Sequence, residues 1–169
     1  METATILSGK ELAKTVLEEI NAAVSQFKDE HNVVPTIAVV RAGEDPASVS
    51  YAKQIEKAFA ARGMGFALHS LSDTSTQAQI VELVAALNAD KSVHGIMVQE
   101  PLPKGIDEAV VKEALSPDKD ADGVHPVNAG RLAQVSPVGR PPMVGPFFVP
   151  ATPAGGLEIL KRNGVQLQG

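Results

Sequence analysis

GIMVQEPLPKGIDEAVVKEALSPDKDADGVHPVNAGRL, residues 95–132, orders an apolar run, a Pro-Leu-Pro turn, a short helical segment and an acidic loop. The run from His94 to Gln99 reads as a buried strand, because it is short, apolar and bounded by turn residues. It ends on Gln99, a polar side chain. In α/β proteins the carboxyl ends of buried strands open onto the crevice that holds ligands. Asp107 to Leu115 reads as a short helix. Asp118, Asp120 and Asp122 then stand at every second position.

Working outward, strand-like runs and helical runs alternate. Ser8 and Glu11 have capping-box spacing. Behind them Leu12, Val16, Ile20, Ala23 and Phe27 recur at helical intervals, with an end expected before His31-Asn32. Thr36 to Val40 (TIAVV) is a β-branched run. Asp45-Pro46 fits an N-cap followed by proline at the first helical position. That helix is expected to carry Tyr51, Ile55, Ala58 and Phe59 on one face and to close at Gly63 and Gly65. Phe66 to Leu71 is a further strand. Thr74 and Gln77 are candidate caps for a helix with Ile80, Leu83, Val84 and Leu87 inward. The pattern predicts an α/β fold, a small, mostly parallel sheet with helices on both faces.

Gln134 to Ala151 (QVSPVGRPPMVGPFFVPA) holds five prolines and no helical period, so it reads as a linker. Thr152-Pro153 restarts a helix with Leu157 and Leu160 apolar, ended by Gly164.

Composition narrows the function classes. The chain has 169 residues, 44% of them hydrophobic, enough for one domain with a sizeable core. Its net charge is −5 and it has no Lys/Arg block, which argues against nucleic acid as a partner. The absence of cysteine excludes disulfides, thiolate metal sites and a cysteine nucleophile. No apolar run is long enough for a bilayer, and the first residues lack the pattern of a secretory signal. A cytoplasmic protein without membrane partners is the expectation.

Several residues have the chemistry of a site. Tyr51 offers either a core ring or a flat stacking surface. Gln99 is either a satisfied strand-end amide or a hydrogen-bonding group in the crevice. The aspartates allow three readings: a solvated loop, a calcium loop, or one carboxylate accepting paired N–H donors from a flat heterocycle. The calcium reading fails on spacing, since the twelfth residue from Asp118 is Ala129 rather than glutamate. His125 reads as a structural loop residue. No second His or Cys stands at a ligand spacing, so no metal is expected. Gly63-Met64-Gly65 lacks the third glycine of a dinucleotide fingerprint and follows a helix rather than a strand.

Taken together, Glu44-Asp45-Pro46-Ala47-Ser48 with Tyr51, Gly95 to Pro103, Asp118 to Pro126, Asn128, Gly130-Arg131-Leu132 and Ala151-Thr152-Pro153 resemble the bifunctional methylenetetrahydrofolate dehydrogenase/methenyltetrahydrofolate cyclohydrolase family. The resemblance covers nearly the whole chain. It implies one-carbon folate metabolism. A tetrahydrofolate derivative loses hydride to NADP or NAD, and the methenyl cation so formed is hydrolysed. It implies that Tyr51 stacks on the folate, that Asp122 holds the pterin's amino-pyrimidine edge, that Gln99 sits beside the reacting carbon and that Leu102 lines the pocket. Gln99 and Asp122 are thus the implied catalytic pair. Thr152 is implied near the entry of the nicotinamide cofactor. Residues 1–150 would form the folate-binding domain, including the 134–151 linker, and 151–169 the start of a connection to a Rossmann domain that lies outside this chain. The full-length protein would be a homodimer.

Two side chains depart from the family pattern. Ile55 stands where the family has a lysine one helical turn after the tyrosine. That lysine serves the hydrolytic step, so cyclohydrolase activity is expected to be weak or absent. Lys53 and Lys57 flank Ile55, but two residues along a helix rotate a side chain by about 200°, so neither is expected to substitute. Glu100 replaces an apolar residue between Gln99 and Pro101. It either faces solvent or sits near the methenyl cation. The alternatives to a dehydrogenase are a non-catalytic folate-binding relative and an enzyme that hydrolyses through another base such as Glu100.

Overall fold

A parallel three-stranded sheet in the order β2-β1-β3 organises the chain. The computed structural model describes residues 4–134 and 146–167. The strands are β1 (Thr36–Ala42), β2 (Gly65–Leu71) and β3 (Gly95–Val98). Central β1 pairs with β2 from Thr36↔Gly65 to Ala42↔Leu71 and with β3 from Ile37↔Gly95 to Val40↔Val98.

Alternate side chains of β1 feed two cores, as a strand's two-residue period requires. Ile37 and Val39 pack with Ile55 of α2 (Pro46–Ala60). Ala38 and Val40 pack with Val84 and Leu87 of α3 (Gln77–Ala89). Burial on both faces is why TIAVV is continuously apolar rather than alternating. The expected α/β architecture is therefore present.

The helix ends show where local signals competed. Ser8 occupies the N-cap position of α1 (Gly9–His31) but makes no side-chain cap bond. Glu11 instead pairs with Lys14 at 2.9 Å. The helix runs through His31 and stops on Asn32, which adopts the left-handed conformation (φ 51°). Only Val24 of α1 is buried, so the expected inward stripe through Ala23 and Phe27 does not form. The cap of α3 is Thr76 with Gln79, two residues beyond the expected pair. Thr74 is taken up in a turn with Ser72, and Gln77 accepts from the Asp107 backbone N–H at 2.9 Å.

On α2 the inward face is Ser48, Ala52 and Ile55, with Phe59 half-buried, whereas Tyr51 and Ala58 are exposed. Gly63 (φ 63°) makes the turn after α2, but Gly65 already belongs to β2. The short helix α4 spans Glu108–Ala114, capped by Asp107. A further helix, α5 (Pro126–Ala133), was not expected from the sequence. Its signal is His125-Pro126, the same cap-then-proline order as Asp45-Pro46. The His125 imidazole accepts from the Val127 N–H at 3.0 Å. Helix α6 spans Ala151–Arg162, with Gly164 (φ 72°) just beyond it. Of the 134–151 linker, residues 135–145 lie outside the described residues, and 146–150 form neither helix nor strand.

Candidate functional site

At the carboxyl end of the sheet, β3 runs out into Gln99 and the Pro-Leu-Pro turn. The Gln99 backbone N–H donates to the Val40 carbonyl at 2.8 Å, so the β1–β3 ladder holds this residue too. Its side chain is buried, and its amide nitrogen donates to the Ser48 carbonyl at 3.2 Å. That bond ties β3 to the first turn of α2. The amide oxygen of Gln99 is buried and has no partner among the described residues. An unpaired buried acceptor is costly unless a ligand donor meets it.

The first turn of α2 is itself fixed. The Asp45 carboxylate accepts from the Ser48 N–H at 2.9 Å and from its hydroxyl at 3.1 Å. The Ser48 N–H holds the Asp45 carboxyl below its ordinary value, aided by the Ser48 hydroxyl and the Ala47 N–H. The Ser48 hydroxyl also reaches the Glu100 carbonyl at 3.3 Å. Tyr51 lies one turn further along, with 51% of its surface exposed.

The three aspartates have three different fates. Residues 119–121 run alongside β3 through a parallel bridge, Ile96↔Asp120. Asp120 is fully buried and accepts from the N–H groups of Val124 (3.1 Å) and His125 (2.8 Å) and from the Asn128 amide (2.9 Å). It shapes the loop from within. Asp118 is exposed and lies 3.7 Å from Arg131. Asp122 is half-buried. Burial pushes its carboxyl above the ordinary value, and the charges of Asp120 and Glu100 push the same way. Gly123 follows with φ 66°, and any side chain there would run into the backbone of Val149 and Pro150. The loop and the segment leading to α6 are thereby clamped together.

A cavity of about 460 Å³ is bounded by these pieces. Tyr51, Gln99, Leu102 and Asp122, from three separate stretches of sequence, all line it. Glu100 lines it as well, with its side chain still open to solvent, so both positions weighed for this residue hold in part. Its carboxylate lies 2.6 Å from Lys112 of α4. Lys112 also lies 3.7 Å from Glu108, and the hydrogen bond that Lys112 donates to Glu100 raises the Lys112 pKa. Neither Lys112 nor Glu108 stood out in the sequence. Their i,i+4 spacing resembles any solvent-facing helical ion pair.

Ile55, Lys53, Lys57 and Thr152 are not among the cavity-lining residues. Ile55 is 7% exposed and sits beneath the cavity, in the cluster that includes Ile37, Val39 and Met97. Lys53 and Lys57 are exposed on α2. Thr152 is exposed in the first turn of α6. Among the described residues, no group of three or more His, Asp or Glu is placed to hold a metal, and no helix is long and apolar enough to cross a membrane.

Comparison with known proteins matches this architecture to one group. The family model described as tetrahydrofolate dehydrogenase/cyclohydrolase, catalytic domain, matches residues 7–122. The bifunctional protein FolD of Heliobacterium modesticaldum is 46% identical over 168 residues, covering 99% of this chain and 55% of the relative. The crystal structure of the bifunctional FolD enzyme from Campylobacter jejuni superposes with a TM-score of 0.87 at 35% identity, over 98% of this chain and 55% of that one. The Trypanosoma brucei methylenetetrahydrofolate dehydrogenase-cyclohydrolase, solved with NADP and an inhibitor, gives 0.88 at 30% identity, over 100% of this chain and 55% of that one. The chain thus spans about half the length of the relatives it matches. By the family model and by identity along nearly its whole length, it belongs to the tetrahydrofolate dehydrogenase/cyclohydrolase family.

Proposed function

We propose that this chain is the folate-side domain of a methylenetetrahydrofolate dehydrogenase that converts 5,10-methylene- to 5,10-methenyl-tetrahydrofolate, with little or no cyclohydrolase activity. The observation that carries this reading is the convergence of Tyr51, Gln99, Leu102 and Asp122 on one cavity. Each group suits one part of a folate. The Asp122 carboxylate offers two oxygens to the paired N–H donors of an amino-pyrimidine edge. The half-exposed ring of Tyr51 gives a flat surface for stacking. Leu102 supplies an apolar wall. The Gln99 amide is locked by Ser48, which leaves its oxygen free for the reacting end of the ligand.

The described residues contain no phosphate cradle, since the one Gly-x-Gly stretch opens β2 after a turn. They do not fit a nicotinamide nucleotide by themselves. The hydride acceptor, NADP or NAD, would be held by a further domain, with Thr152 at the approach. Residues 1–150 are the folate-binding unit in this reading, and 151–169 lead onward.

Hydrolysis of the methenyl cation needs a group that orients or activates water. Ile55 can do neither, and it is sealed into the α2–sheet core. Lys53 and Lys57 stand outside the cavity.

The test follows methenyl absorbance with the full-length protein, methylenetetrahydrofolate and NADP or NAD. Methenyl should accumulate and then decay no faster than it does without enzyme. Rapid enzymatic decay would refute the role given to Ile55. Saturable folate binding with no methenyl would instead make the protein a non-catalytic folate binder. Ile55→Lys should speed decay of the cation. It should also destabilise the domain by about 1–3 kcal/mol, as an ammonium enters an apolar cluster and its stem bends toward the cavity.

A further inference from the structure

The cavity wall carries more charge than folate binding by Tyr51, Gln99 and Asp122 requires. Four carboxylates line it, those of Asp45, Glu100, Glu108 and Asp122, against one ammonium, that of Lys112. Glu100 is the member that pairs most closely with that ammonium. It follows Gln99 directly, and its carboxylate is held at 2.6 Å by Lys112. Lys112 is shared with Glu108 at 3.7 Å, so the Glu108–Lys112–Glu100 cluster keeps a net negative charge. Glu100 also acts electrostatically on Asp122 across the cavity.

We propose that Glu100, in the cavity wall beside Lys112, is a specificity residue that favours a folate whose one-carbon unit is positively charged over folates whose one-carbon unit is uncharged. The inference rests on the folate reading of this cavity and goes beyond it. When a methylene carbon between two nitrogens loses hydride, its C–H bond breaks and the electron pair leaves with the hydrogen. A nitrogen lone pair then forms a C=N bond, and the positive charge spreads over the N–C–N unit. A wall with an excess of carboxylates binds that cationic N–C–N unit better than the uncharged one it came from. Lys112, paired with Glu100 and Glu108, offsets part of that charge. Among the described residues Lys112 supplies the sole cation lining the cavity, so removing it should strengthen the preference.

The experiment compares two probes by isothermal titration: 5,10-methenyl-tetrahydrofolate, a cation, and 5-formyl-tetrahydrofolate, which lacks that positive charge. Both are measured at one mildly acidic pH in a non-nucleophilic buffer. Glu100→Gln keeps the size of the side chain. It should weaken methenyl binding about 3- to 10-fold, the scale of one half-exposed charge pair, and leave 5-formyl binding within about twofold. Lys112→Met should shift the ratio the other way. Equal loss for both probes in Glu100→Gln would make Glu100 a structural residue and overturn the proposal. No change for either probe would also overturn it. Slower decay of bound methenyl in Glu100→Gln would make Glu100 a hydrolytic base, again against the proposal. If the folded wild-type protein binds neither probe, the folate reading falls as well. If it binds both and only the charge preference is missing, that reading stands alone.

Discussion

Asp122 combines a placement that suits ligand binding with a cost to the fold. Its carboxyl is raised above the ordinary value by burial first, then by Asp120 and Glu100. A folded-state pKa above the unfolded one means that ionising Asp122 disfavours the folded state. The penalty is absent below the ordinary aspartate range. It grows as pH rises through the raised pKa and is fully present at neutral pH. Asp122→Asn should therefore raise Tm at neutral pH and give no gain in strong acid. The same variant should lose folate affinity, because an amide cannot accept two N–H donors. Folate binding to the wild type should weaken as pH falls through that raised value, above where an ordinary aspartate would titrate. Titrations across pH, paired with thermal melts, check all three. A loss of both stability and binding at neutral pH would contradict this account.

Asp120 shows the opposite balance. It is fully buried, and three donors converge on it. Asp120→Ala would strand the N–H groups of Val124 and His125 and the Asn128 amide. The expected cost is about 3 kcal/mol or more, read from chemical denaturation. Two aspartates separated by one residue thus divide into a buried scaffold and a cavity-lining carboxylate.

At the scale of elements, capping decides where chains turn toward the cavity. The reciprocal Thr76–Gln79 box fixes the start of α3, whose inner face packs on β1. Thr76→Ala should cost about 1 kcal/mol in chemical denaturation. Thr74→Ala should cost less, because Thr74 caps nothing. From sequence only Thr74 with Gln77 stands out as a cap pair, although Thr76 has a glutamine at the same spacing. Only the competing bonds of Ser72 to Thr74 and of Gln77 to Asp107 separated them. The Asp45-Pro46 cap was legible, because proline admits few alternatives at that position. The His125-Pro126 cap of α5 followed the same rule with a less common capping residue.

For the whole molecule, the sheet and the two helical layers that bury it hold the core. Helices α1 and α6 lie at the margin. Val24 is the one buried residue of α1, and α6 has none. A paired contact of Arg162 with Glu19 at 2.7 Å joins them at the surface. Amide hydrogen exchange should therefore be slowest in β1 and β3 and faster by orders of magnitude along α1 and α6. Equal protection throughout would mean that the outer helices belong to the cooperative core.

The sequence alone determined the alternation of strands and helices, the parallel sheet, the doubly buried β1 and the residues of the family pattern. Those properties are written in local periodicity and turn chemistry, which short-range sterics and burial enforce. The sequence also marked Gln99 and the acidic loop as chemically capable. The resemblance singled out Asp122 among the three aspartates, but the local pattern could not, because a one-residue alternation is resolved by the bridge of Asp120 to β3 and not by composition. Only the tertiary structure placed Tyr51 at the cavity while its neighbour one turn on, Ile55, sank into the core. Finally, it brought Lys112 to Glu100 from another helix. That pairing depends on how α4 docks against α3, a long-range packing choice that no local pattern encodes.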